Sequence, residues 1–550
     1  MKKRITYLMM LALAVVSCSL KETPEHFVNP EHFYNTEAQC RSALNHCYND
    51  IKNIYNGNMF YLTEIQSDLW WNTASGQSYD ATLEITPASP GHGKNIWTYA
   101  YRSIMYCNDC VEFIATSPVP EEVKMPMVAE ARVLRAFYYH ILTQVFNGVP
   151  FYLYRVDSKE TMEAIRKLPR TPAEEIRKTL YKDLEENALP YFTVENGLRR
   201  RTFDDESKQF RAGYAMALYL MANFAMWNKD YALALEPLRL LEKEYGELTE
   251  EAYPLEDTKW SIKNTAESIF EVQHSWDVAG IQYYSNLASR MCPPQDAADP
   301  DHYYDGVELK WMSARMTTGA ATRANAYYAN ADVTTPSIFG RLPMKKDGSL
   351  YVLDLDMISA GQDADGVKID RRVYLVLGLG NYETGATFTH VSKSDKTGGI
   401  TGYKPYSGPK FWCPTQIANY DSNNYKICRY ADAVLMMSEC YYETGDMDQA
   451  RKYINMTRVR AGLDPVADFA NDDAYVIELR KERARELGGE FHRKFDLVRW
   501  GVWYEQLAVS SKGTMRDNRH RCHRYYPIPD TECALSGGAL TNDEYIAEGL

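Results

Sequence analysis

The sequence predicts a mainly α-helical protein, a scaffold of helical hairpins interrupted by an irregular, loop-rich central excursion containing short strands. Three observations predict it. Apolar residues recur at three- and four-residue spacing over most of the first half and again near the C-terminus, and two helical hairpins resemble each other at a fixed offset. Between about Glu267 and Pro414 the helical periodicity fades while Gly, Asn, Thr and Tyr rise.

In chain order, Met1-Lys2-Lys3-Arg4 is a basic segment followed by an apolar stretch from Tyr7 to Val16 that runs into Val15-Val16-Ser17-Cys18. That pattern is a lipobox. It predicts a lipoprotein signal peptide over residues 1–17, cleavage that leaves Cys18 as the lipidated first residue, and an anchor and tether over 18–35. No later stretch approaches the roughly 20 apolar residues of a membrane-spanning helix. Removing residues 1–17 takes three positive charges from a formal net charge of −13, leaving −16, and no Lys/Arg-rich stripe offsets it. Such a surface repels phosphate backbones, so nucleic acid is excluded as a partner. Besides Cys18 there are ten cysteines, with no dense disulfide framework; Cys107-Asn108-Asp109-Cys110 has redox or metal-knuckle spacing but lies in a helical pattern with no second such pair, and reads as helix packing.

The helical patterns of the first half run over Glu37–Ile54, Ile96–Ala115, Glu121–Phe146, Pro172–Glu186 and Lys208–Trp227. Asn147-Gly148-Val149-Pro150 stops one of them, and Thr171-Pro172-Ala173-Glu174 starts the next with an N-cap, a Pro and an acidic first turn. One hairpin runs Arg211–Trp227, turns at Asn228-Lys229-Asp230 and resumes at Tyr231. The other runs Tyr430–Thr444, turns at Gly445-Asp446 and continues through Met447–Arg460. At an offset of 216, Ala215, Asp230 and Ala234 fall on Ala431, Asp446 and Ala450, small residues that let antiparallel helices approach as in tetratricopeptide repeats. The expected layout is thus an N-terminal helical region over 36–266, an excursion over 267–414 and a C-terminal helical region over 415–550, all in one body. Within the excursion, Ser268–Gln273 and Arg372–Val376 read as strands.

Ligand recognition is expected on loops held by the helical body. Two aromatic clusters lie in loop-like sequence. One is Asp68-Leu69-Trp70-Trp71-Asn72; the other, in the excursion, comprises Trp276, Tyr283, Tyr284, Tyr303, Tyr304, Trp311, Tyr327 and Tyr328. A pyranose presents an apolar face that lies flat on such rings while its hydroxyls pair with polar groups at the edge. Trp70, Trp71, Asn72 and the excursion aromatics are therefore the candidate ligand-binding residues. No GxSxG, HExxH or GxxxxGK[ST] motif occurs, and no catalytic residue, metal or cofactor is expected. His520-Arg521-Cys522-His523 is too short a segment to close a tetrahedral metal site alone, and Asp363-Ala364-Asp365-Gly366 starts a calcium loop without its later acidic ligands. Glu482, Arg483, Arg485 and Glu486, and then Arg493, Asp496 and Arg499, alternate sign at helical spacing, as in ion pairs between helices.

Four C-terminal motifs resemble one family in the order that family has them. Arg429-Tyr430-Ala431-Asp432-Ala433-Val434-Leu435-Met436-Met437-Ser438-Glu439-Cys440 resembles the RYADVLLMYAEA helix of SusD/RagB proteins, and Asn455–Leu463 their N.vR.RAGl segment. Arg480–Leu487 with Phe491–Gly501 resembles ERr.Ela.EG.R..DLiRWG, and Tyr526-Pro527-Ile528-Pro529 the closing yPIP. Trp97-x-x-Ala100-Tyr101-x-x-Ile104-x-x-Cys107-Asn108 and Ala129–Tyr139 resemble N-terminal motifs of the same family, so the likeness covers roughly 20–275 and 410–550. One departure is that Phe491 stands where the family has Gly after Glu490. The resemblance implies a non-enzymatic surface lipoprotein of the outer membrane that captures oligosaccharide and delivers it to a SusC-like TonB-dependent β-barrel transporter; a peptide-binding RagB-like lid is the alternative. Lys21-Glu22 resembles the signal that sends such lipoproteins to the outer face.

Overall fold

A computed structural model of the chain describes residues 33–71, 79–199, 211–275, 284–285, 321–322, 339, 344–347, 350–377, 409–411, 413, 420–510 and 514–550. Its principal helices are α1 (Glu37–His46), α2 (Asn49–Tyr55), α3 (Gly93–Thr116), α4 (Glu121–Phe146), α5 (Ala173–Asn187), α6 (Tyr214–Trp227), α7 (Tyr231–Tyr245), α8 (Arg372–Leu377), α9 (Tyr430–Glu443), α10 (Met447–Arg460), α11 (Asp472–Leu487) and α12 (Arg493–Arg499). The strands are short: β1 (Trp70–Trp71), β2 (Ser268–Val272), β3 (Ala321–Thr322), β4 (Met344–Asp347), β5 (Leu350–Leu353) and β6 (Tyr425–Arg429). The fold is mainly helical, as predicted, and among the described residues no helix is long and apolar enough to cross a membrane.

α3 and α4 pack along each other, α5 lies against α4 and α6, and α11 against α9 and α10. Where the sequence predicts one helix over 37–54, the chain forms two. α1 starts in a capping box, with the Thr36 hydroxyl accepting from Gln39 N and the Gln39 side chain accepting from Thr36 N. It ends because tertiary groups capture its last turn. Tyr138 donates to the Cys47 carbonyl at 2.6 Å, and the Tyr48 hydroxyl bonds Glu130 and accepts from Ala212 N at 2.8 Å. Likewise α6 starts at Tyr214, later than its periodicity suggests, after Gly213 whose backbone is in contact with the Leu198 carbonyl.

The two hairpins α6–α7 and α9–α10 are joined by turns that agree bond for bond at the predicted offset. Asp230 N donates to Ala225 O (2.9 Å) and Asp446 N to Tyr441 O (2.8 Å); Lys229 N donates to Met226 O and Gly445 N to Tyr442 O, both at 3.0 Å. Lys229 and Gly445 both adopt left-handed backbone, φ 62° and 86°. The carboxylates of Asp230 and Asp446 then cap the second helices, each accepting at 3.1 Å from the amide three residues on. The hairpins stack through α7 against α9. Asp230→Ala and Asp446→Ala are each expected to lower unfolding free energy by about 1 kcal/mol, and by similar amounts, in chemical denaturation. A loss at one site only would mean that the turns are equivalent in shape but not in energy.

β2 and β6 pair antiparallel, Val272 opposite Tyr425 and Ser268 opposite Arg429, so the excursion leaves and returns through one ladder. The expected strand at Arg372–Val376 is a helix, α8. Its β-branched and aromatic composition favours a strand, but the Asp370 carboxylate accepts from Arg372 N at 3.0 Å, and the Arg372 guanidinium is drawn into the ion network below. Val373, Leu375 and Val376 are buried from that helix.

Beneath β6 and α11 lies a buried ion network. Arg429 contacts Glu490 in bidentate fashion (2.8 and 2.8 Å), Glu267 (2.6 Å) and Glu486 (3.0 Å); Arg372 contacts Asp370, Glu482 and Glu486; Arg460 contacts Glu267 and Glu486; and Lys410 pairs with Glu490. All these groups are buried, and with Arg485, which pairs with Glu482 and lies near Asp370, the cations offset the carboxylates. Asp370, Arg372 and Lys410 come from the excursion, so the segments that carry them are clamped to the C-terminal helices. Phe491, in the position where the resembled pattern has Gly, takes a left-handed φ of 69°. Its ring packs against Tyr55 and Trp260, and the neighbouring Glu490 is held by Arg429 and Lys410, which keeps the unfavourable backbone in place.

Candidate functional site

Of the candidate ligand-binding residues, Trp70, Trp71 and Tyr284 lie within the described part of the structure. Asn72, Trp276, Tyr283, Tyr303, Tyr304, Trp311, Tyr327 and Tyr328 lie outside it, as do Cys18 and the rest of the predicted leader.

Trp70 and Trp71 form β1, which pairs antiparallel with β3: Trp70 lies opposite Thr322 and Trp71 opposite Ala321. The N-terminal aromatic segment and the central excursion, some 250 residues apart in sequence, are thus brought together by backbone pairing. The strand is held from below. Asp68, next to the two tryptophans, is fully buried and accepts two hydrogen bonds from the Arg493 guanidinium (2.6 and 2.7 Å), and the Trp503 indole donates to Gln66 O at 2.8 Å. Asp68 is therefore an anchor, and Arg493, which reads in sequence as part of a charge pattern, has as its partner this carboxylate two residues before Trp70.

Tyr284 packs against Tyr420, ring centroids 4.0 Å apart and planes tilted by 50°, with Tyr420 41% exposed. Sequence reasoning missed Tyr420, which stands past the expected end of the excursion and meets Tyr284 only through a tertiary bridge. Ser285 N donates to Asp421 O (2.8 Å), Asp421 N to Ser285 O (2.9 Å), and the Ser285 hydroxyl to the Asp421 carboxylate (3.0 Å). Ser285 also bonds the Tyr425 hydroxyl on β6. The Tyr425 ring packs on His274, whose pKa burial pushes down to about 3, so that the imidazole is neutral. The result is a partly open aromatic pair on a hydrogen-bonded polar base, an arrangement that can stack a planar or pyranose face.

An open cleft of about 330 Å³ lies elsewhere, lined by residues that include Tyr34, His46, Tyr106, Asp109 and Cys110. Burial raises the Asp109 carboxyl to about 6. Asp109 is the one carboxyl among the described residues lining that cleft, whereas glycoside hydrolysis normally uses two. The other motifs have structural partners. Glu482, Arg483, Arg485 and Glu486 lie buried in ion pairs. Glu548 accepts from Arg521 N and Cys522 N and contacts His520, while the His523 ring faces Ile85 O. The Asp363 carboxylate accepts from Asp365 N and Val367 N, both at 2.9 Å, and so caps its own turn. Among the described residues no group of three or more His, Cys, Asp or Glu side chains is placed to hold a metal ion.

Comparison with known proteins defines the class. A model of the SusD family matches residues 379–545, and a second, described as starch-binding and associating with outer membrane, matches 27–190. The chain belongs to the SusD-like family. Within it, the chain is 22% identical to SusD-like protein P25 of Formosa agariphila, over 97% of each chain. Its fold is that of a SusD superfamily protein from Bacteroides vulgatus (TM-score 0.66, 19% identity, 92% of this chain and 99% of that one). It is also that of surface glycan-binding protein A from Bacteroides fluxus (TM-score 0.63, 21% identity, 92% and 97%).

Proposed function

We propose that this protein is a cell-surface lipoprotein, anchored through Cys18, that captures oligosaccharides and delivers them to a SusC-like TonB-dependent transporter of the outer membrane. The observation that carries the reading is the tilted Tyr284–Tyr420 pair, partly open above a fixed polar base, at the root of the same excursion that pairs with Trp70–Trp71. SusD-like membership and the match to a starch-binding, outer-membrane-associated family model support it. So does the likeness to a surface glycan-binding protein.

The test is an affinity screen of residues 19–550 against immobilised plant, microbial and host glycans with a peptide library alongside. It is repeated with Tyr284→Ala, Tyr420→Ala, Trp70→Ala, Trp71→Ala and Trp311→Ala. Loss of one stacking ring is expected to weaken glycan binding about 3- to 10-fold. Binding of extended peptides alone would move the protein to the peptide-lid alternative. Cys18→Ala is expected to shift the protein from the membrane to the soluble fraction, and mild-detergent extracts to contain it with a large β-barrel; retention of the variant in membranes would remove the anchor from the proposal.

A further inference from the structure

Cys107-Asn108-Asp109-Cys110 has, in sequence, no partner for its two thiols. The structure supplies one. Cys47, the residue at which α1 ends, places its sulfur 3.6 Å from that of Cys110 on α3, and it also faces Cys107 one turn away. All three side chains are at most 1% exposed. The contact joins segments 63 residues apart, and Cys110 is part of the wall of the open cleft beside His46 and Tyr106, so the sulfur pair lies directly beneath the surface.

We propose that Cys47 and Cys110 are joined by a disulfide that staples the end of α1 to α3. Two sulfurs in van der Waals contact on adjoining elements need only small side-chain rotations to come within bonding distance. In the reaction both S–H bonds are lost and one S–S bond forms. The two protons and two electrons pass to a disulfide oxidant, a dithiol–disulfide oxidoreductase on export or oxidised glutathione in the test tube, whose own S–S bond is reduced to two thiols. In the folded protein the thiol of Cys110 is held well above its usual pKa by its contact with Cys47 and by burial, and that of Cys47 by Cys107 and by burial. Thiolate is therefore scarce once the core has closed, and the bond forms while α1 is still docking. It closes a long loop, which is where a cross-link most restricts the unfolded chain. The inference is independent of which ligand the protein carries.

The experiment is peptide mapping of the full chain, exported or refolded with oxidised glutathione, alkylated at acid pH and digested without reductant. The expected species joins the Cys47 peptide to the Cys110 peptide at two hydrogens below their summed mass, and it persists in Cys107→Ser. Reduction is expected to lower the thermal midpoint by about 4 °C in the wild type and not in Cys47→Ser/Cys110→Ser. Recovery of Cys47 and Cys110 as alkylated thiols, or a link from Cys47 to Cys107, overturns the proposal.

Discussion

Arg429→Met is expected to lower unfolding free energy by about 3–5 kcal/mol, the largest single effect predicted for the chain. The guanidinium is completely buried and satisfies Glu490 twice, Glu267 and Glu486, and it donates to the Glu486 carbonyl. Removing it leaves Glu267, Glu486 and Glu490 with Arg460, Lys410 and an Arg372 that Asp370 and Glu482 already engage, so one buried negative charge is left uncompensated and a methionine cannot solvate it. The matched control is Arg451→Met, whose partners Asp448 and Asp468 are 83% and 82% exposed. Exposed pairs contribute at most about 1 kcal/mol, so denaturant titration should separate the two variants clearly. Equal, small losses would show that water reaches the network and that β6 and α11 are held by apolar packing instead.

Acid is expected to unfold the protein in two limbs, shallow between pH 7 and about 4.5 and steep below. In the first, burial lowers His140 and His274 to about 3 and His523 to about 4, so these rings take up protons only on unfolding and stability falls as pH falls. Glu64, raised to about 7 by burial, and Asp109, raised to about 6, act oppositely: the folded state binds their protons first, which offsets the histidines. Below the ordinary carboxylate range that offset ends, because Glu64 and Asp109 are then protonated in both states. Glu482 is buried but held down to about 2 by Arg372 and Arg485, and Asp496 to about 2 by Arg483 and Arg499. Their folded pKa values are depressed, so the stability they contribute is present above the unfolded pKa and lost as pH falls toward 2. It amounts to about 3 kcal/mol for Glu482 and about 2 kcal/mol for Asp496. Guanidinium midpoints measured from pH 7 to pH 2.5 test both limbs. Glu64→Gln removes one offsetting group and should steepen the upper limb; an unchanged upper limb in that variant would mean that Glu64 is ionised in the folded protein.

The periodic parts of the chain are legible in the sequence because their information is local. α4 begins and ends at the predicted residues, and the offset of 216 that aligns Asp230 with Asp446 reappears as matching turn hydrogen bonds, since caps and left-handed turns are decided within four or five residues. Family membership was legible for the same reason, in motifs such as Arg429–Cys440 and Arg480–Leu487. What the local pattern could not carry were contacts between distant segments. The helix expected over 37–54 breaks because Tyr138, Glu130 and Ala212 reach its middle, and Arg372–Val376 folds as a helix because Asp370, Glu482 and Glu486 compete for Arg372. The candidate site shows the same division. Aromatic composition pointed to Trp70, Trp71 and Tyr284 as residue types suited to a ligand, yet Tyr420 as a partner and Arg493 as an anchor were invisible, because each pairing spans more than 130 residues. Sequence by itself determined the helical elements, the family and the kind of chemistry available. Tertiary structure alone decided which side chains meet, because burial and ion pairing depend on groups that the chain brings together only once it has folded.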